Sequence, residues 1–92
     1  MKYLVYMKLL EPQDENMKKM IQIEKKRVDK GENWGKDVIF PIHSMMTTGH
    51  SFMVVETDDT MKLAKYRRDY AGVFDIEIHM IKAFDELREL LK

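Results

Sequence analysis

VIFPIHSMMTTGHSFMVV, residues 38–55, holds no Asp, Glu, Lys or Arg. A run of this length could cross a membrane. Pro41, His43, Ser44, Thr47, Thr48, Gly49, His50 and Ser51 are too polar or too disruptive for lipid. The stretch therefore reads as a β-hairpin, with strands at 38–46 and 51–57 and a turn at Thr47–His50. A hairpin uncharged on either face is expected to be covered on both. In a chain of 92 residues, helices can cover one face, and the other needs a second subunit.

Toward the N-terminus, Lys2 to Leu10 is short and rich in Tyr, Val and Leu, which suits a strand. Glu11-Pro12 ends it, because proline has no N–H for a ladder and suits a helix start. Over 13–30 the apolar spacing turns helical: Met17, Met20, Ile21 and Val28 form a stripe that only Glu24 interrupts. Gly31 is placed to close that helix. Toward the C-terminus, Thr57-Asp58-Asp59-Thr60 supplies capping side chains for a helix running to about Tyr70 or Ala71, and Gly72 ends it. From Asp75 to Lys82, Ile76, Ile78 and Met80 alternate with Asp75, Glu77 and His79, the pattern of a strand with one apolar and one polar face. Residues 83–92 form a short amphipathic helix carrying Phe84, Leu87, Leu90 and Leu91, too short to persist alone and expected to dock by Phe84, Leu87 and Leu91 on the body of the dimer.

The order is β-α-β-β-α-β plus a terminal helix. That predicts a single α+β domain over residues 1–92, ferredoxin-like, with a four-stranded antiparallel sheet and both long helices on one face. No cysteine is present, which excludes disulfides, thiol nucleophiles and thiolate zinc sites. Sixteen basic residues balance sixteen acidic ones, so charge gives no reason to expect nucleic acid or an anionic membrane. Lys18, Lys19, Lys25, Lys26 and Arg27, with Lys62, Lys65, Arg67 and Arg68, read as solvated helix faces. The strand-like pattern begins at Met1-Lys2-Tyr3, leaving no room for a signal peptide, so a soluble cytoplasmic protein is expected.

Val55-Glu56-Thr57-Asp58-Asp59, a following helix, and then Asp75-Ile76-Glu77-Ile78 resemble a family of small uncharacterised proteins in the dimeric α+β barrel superfamily. In that family a Trp-His pair precedes a Gly-Phe-x-x-Val-Glu-x-Asp-Asp strand and turn. A helix with two spaced tryptophans and an Asp-Phe-Glu-Val strand follow. Here Ile42-His43 keeps the histidine without the tryptophan, Tyr66 and Tyr70 stand at the two tryptophan positions, and Glu77 matches. The resemblance implies that two sheets close face to face into a barrel across a two-fold axis. It brings no catalytic residue, because superfamily members include monooxygenases, isomerases, haem-degrading enzymes and ligand sensors.

Chemistry is expected from His43, which titrates near neutrality and can act as acid or base, and from Glu77. His79 shares a strand face with Glu77, two residues away, and Tyr6 lies on the mixed face of the first strand. These two are candidate ligand contacts. Burial in the uncharged hairpin is expected to disfavour protonated His43. The three histidines lack the spacing of a metal or haem site, so no metal and no cofactor are expected. Together these features suggest a homodimer that binds a small organic molecule in a barrel cavity. A cofactor-independent isomerase or monooxygenase-like reaction is one use of such a cavity. The alternative is a non-catalytic sensing or assembly module with a filled barrel.

Overall fold

The computed structural model describes residues 1–91. Among these the chain forms β1 (Lys2–Leu9), α1 (Gln13–Asp29), a 3-10 turn (Gly35–Asp37), β2 (Val38–Ser44), β3 (Ser51–Glu56), α2 (Thr60–Asp69), β4 (Phe74–Ile81) and α3 (Phe84–Leu90). The fold is α+β, with a four-stranded sheet in the order β2-β3-β1-β4 and every neighbouring pair antiparallel. The edges are β2 and β4. The expected end of the last helix, Lys92, lies outside the described residues.

Local chemistry marks the boundaries. Gly31, at φ 68°, lets α1 end in a Schellman motif. There the amides of Gly31 and Glu32 donate to the carbonyls of Val28 and Arg27 at 3.0 and 2.8 Å. The Asp59 carboxylate caps α2 by accepting from the Met61 amide at 3.0 Å. In the hairpin the Met45 amide donates to the His50 carbonyl at 2.7 Å. Pro41 sits in edge strand β2, where a missing N–H is tolerated. Register shifts flank Phe40, so Phe40 pairs with Val54 while His43 pairs with Phe52. The extra residue puts two side chains three positions apart on one face.

The core lies between the helices and one sheet face. Val5 and Met7 of β1, Met53 and Val55 of β3, and Ile76 of β4 meet Leu63, Tyr66 and Tyr70. The apolar spacing of α1 misleads about its inward side. The residues it turns inward are Asn16, Met20, Ile23 and Arg27, while Met17, Ile21 and Val28 are exposed. Arg27 is therefore not part of a solvated face. It is buried, with Nη1 donating to the Asp69 carboxylate and Nη2 to the Glu32 carbonyl, each at 2.7 Å. Its guanidinium also lies 5.0 Å from the Tyr66 ring centre.

These polar anchors explain a second departure from expectation. Asn16 Nδ2 donates to the Leu10 carbonyl at 2.8 Å, and Arg27 fastens the other end of α1 to α2. Both pull α1 toward β1 and α2 and away from β2. The hairpin is consequently covered on its helix side only along β3, where Met53 and Val55 are buried, while in β2 Ile42 is 57% exposed. A cavity of about 400 Å³ opens between α1 and β2, with Trp34, Met20, Val28, Pro41 and Ile42 in its walls. In the single chain Phe84, Leu87 and Leu91 of α3 are exposed, and a Lys2–Glu86 ion pair at 3.0 Å holds the first turn of α3 to the start of β1.

Burial raises the Tyr66 hydroxyl far above the usual tyrosine pKa, with further upward pressure from Tyr70 and a partial offset from Arg27. A phenol whose folded pKa exceeds its unfolded one stabilises the fold fully below the unfolded value. That contribution is lost as pH rises through the folded value. Urea midpoints are therefore expected to fall once pH passes about 10. Tyr66→Phe should show a smaller fall over the same range, and equal slopes in the two proteins would contradict this assignment.

Candidate functional site

The sheet face away from the helices is the one carrying Leu4, Tyr6, Phe52 and Val54, because these alternate with the buried Val5, Met7, Met53 and Val55. Two registers cross it. One runs His43–Phe52–Tyr6–Glu77 from β2 to β4, and the next runs Phe40–Val54–Leu4–His79. All four residues expected from the sequence therefore share this face. The single chain does not bring them all together. His43 and Glu77 stand on opposite edge strands, three strand spacings or roughly 14 Å apart.

The β2 half of the face is aromatic. The Phe40 and Phe52 rings stack with centres 5.7 Å apart and planes 9° apart, and His43 stacks on Phe40 at 4.6 Å. His43 is exposed in the chain, in contrast to the buried position its sequence context suggests. Its Nδ1 lies 2.8 Å from the Pro41 carbonyl and donates to it when that nitrogen carries the proton. The neutral tautomer so fixed presents Nε2 as an acceptor.

The β4 half is polar. Glu77 is the register neighbour of Tyr6, and His79 Nε2 lies 3.3 Å from the Glu77 carboxylate. Asp75 and Lys8 oppose each other one step further along. The hairpin loop adds a residue that spacing alone did not single out. His50 Nδ1 is hydrogen-bonded to the Tyr6 hydroxyl, and the two rings meet edge to face at 5.4 Å. When Nε2 carries the imidazole proton, the phenol donates to Nδ1. That pair can pass a proton between a phenol and an imidazole, beside a carboxylate. The missed signal was the turn itself: a hairpin closing at 45–50 carries His50 back to β1. Arg27 was missed for a different reason, since its place in the series 16, 20, 23 and 27 is inward although both ends of that series are polar.

No group of three or more His, Asp or Glu side chains among the described residues could hold a metal ion. The cavity on the other side of the sheet is mainly apolar and aromatic. Its charged wall residues are Glu24 and Arg27, the latter already committed to Asp69. No helix among the described residues is long and apolar enough to cross a membrane.

No curated protein matches the chain. Residues 1–92 match the family model described as Domain of unknown function (DUF3303), and the protein belongs to that family.

Proposed function

We propose that this chain is a ferredoxin-like domain that pairs into a homodimeric α+β barrel and binds a small organic molecule between the two sheets. The observation that carries the proposal is the open sheet face, half aromatic and half acid–base in character, across which no second layer packs among the described residues. The order β2-β3-β1-β4, with α1 between β1 and β2 and α2 between β3 and β4, supports the split βαβ arrangement. A two-fold axis through the open face sets β2 of one chain against β4 of the other. His43 of the partner subunit then approaches Glu77 and His79, a meeting that a single chain cannot achieve.

Such a chamber suits a proton-transfer reaction that needs no cofactor. In an isomerisation, a base takes a proton from one carbon of a bound molecule and an acid returns one to another carbon. Glu77 is the base in this scheme, and the Tyr6–His50 pair is the proton donor and relay. Closure of the two sheets excludes water from the exchange. The stack of Phe40 on Phe52, with Leu4 and Val54 alongside, favours a second reading in which apolar side chains fill the barrel and the dimer is a sensing or assembly module.

Mass spectrometry of small molecules retained on the purified protein tests the proposal. Retention of one compound class is expected. His43→Ala and Glu77→Gln should each weaken it by about tenfold, or 1.4 kcal/mol, while sedimentation stays dimeric. A dimer that retains nothing, and that these substitutions destabilise by about 1–3 kcal/mol, would support the filled barrel instead.

A further inference from the structure

Glu77 and His79 have the spacing of two ligands on one metal ion. They are alternate residues of β4, so the strand holds both on the open face. His79 Nε2 stands 3.3 Å from a Glu77 carboxylate oxygen, whereas a charge-assisted hydrogen bond closes to about 2.7–2.9 Å. Two donor atoms at about 2.0–2.1 Å from a tetrahedral cation lie about 3.4 Å apart.

His43 has the preparation of a third ligand. In the tautomer that donates from Nδ1 to the Pro41 carbonyl at 2.8 Å, Nε2 is left free as a lone-pair donor. Metal-binding imidazoles are oriented by such a bond from the other ring nitrogen. One chain cannot assemble the three, because His43 and Glu77 end a single register row at opposite edges of the sheet. The proposed two-fold pair can. An axis running along the strands, midway between two facing sheets, exchanges β2 with β4 and maps each row onto itself. The two ends of a row then face one another, so His43 of the partner subunit stands over Glu77. Facing sheets lie about 10 Å apart, a gap that an imidazole and a carboxylate enter from opposite sides.

We infer that Glu77 and His79, with His43 of the partner subunit, bind one divalent transition-metal ion of the zinc type, at two equivalent sites per dimer. This rests on the homodimer proposed above and adds regulation to the same chamber. Two imidazoles and one carboxylate suit zinc, whereas magnesium and calcium take oxygen ligands. Glu77 cannot accept a proton from a bound molecule while its oxygen is on the ion. The ion therefore ties the two sheets together and suspends the acid–base role of Glu77. Spacing along the sequence does not announce such a site, since its third ligand comes from another copy.

Zinc chloride is the probe. Equilibrium dialysis of the full chain near neutral pH should give one zinc per chain. His43→Gln and Glu77→Gln, each checked as a dimer by sedimentation, should weaken binding by more than about a hundredfold, beyond the loss of an outer-shell partner. Mixing these two variants and letting subunits exchange should restore tight binding at roughly one site in four, because half the dimers are mixed and each of those keeps one intact site. Zinc held undiminished by His43→Gln protein would overturn the shared site, as would a mixture that binds no more than its components. A dimer that takes up no zinc would overturn it too, while leaving the barrel pairing intact. A folded monomer by sedimentation, with and without zinc, would overturn both.

Discussion

Phe52→Asp is expected to turn the proposed dimer into folded monomers. Phe52 is central to the open face, stacked on Phe40 and register-paired with Tyr6 and His43. Only half-buried in the single chain, it has most to lose when the second sheet is removed. Burying a Phe side chain is worth roughly 1.5–3 kcal/mol, and the two-fold axis counts that loss twice. The carboxylate adds the cost of removing a charge from water without a partner. Dimer dissociation should strengthen by about two or more powers of ten, since each costs 1.4 kcal/mol. Sedimentation velocity reads the change, and far-UV circular dichroism checks that the monomer stays folded. Phe52→Ser should move the equilibrium the same way by a smaller amount. A Phe52→Asp protein that remains dimeric would place the interface elsewhere.

The second large effect concerns Arg27. Arg27→Ala removes a guanidinium that is buried, bonded to Asp69 and the Glu32 carbonyl, and 5.0 and 6.0 Å from the Tyr66 and Tyr70 ring centres. Asp69, largely shielded, is left without its principal counter-charge. Breaking a buried pair from one side typically costs about 3–5 kcal/mol, a large part of the roughly 5–15 kcal/mol that holds a domain together. Thermal unfolding should show a fall in Tm of more than about 10 °C. Arg27→Ala combined with Asp69→Ala should cost less than the two single changes added together, because the orphaned carboxylate is then gone. Strict additivity, or a loss within about 0.5 kcal/mol as for an ordinary surface residue, would show that the pair does not anchor α1.

The order of elements was legible because each boundary is set by a few neighbouring residues. Pro12, Gly31, Asp59 and Gly72 act locally, and the alternation of 75–81 assigns its faces without reference to other strands. The placement of Tyr6, His43, Glu77 and His79 on one face followed from the same alternation, helped in β2 by a bulge that spacing does not announce. What stayed hidden depends on contacts distant in sequence. Met17, Ile21 and Val28 look like a core stripe, yet the inward side of α1 is chosen by Asn16 reaching Leu10 and Arg27 reaching Asp69, 42 positions away. The exposure of Ile42 goes with that choice, because Ile42 lines the cavity between α1 and β2, whereas His43 is exposed on the opposite face of the sheet. The Tyr6–His50 bond needed the path of a loop, which composition does not supply.

Sedimentation equilibrium of the unmodified chain at micromolar concentration decides whether the open sheet face is closed by a second copy. The proposed closure rests on an uncharged hairpin, an aromatic face and acid–base groups split between two edges. The predicted result is a single species at twice the 11.0 kDa chain mass. A folded species at 11.0 kDa, with no self-association as concentration rises, would contradict it.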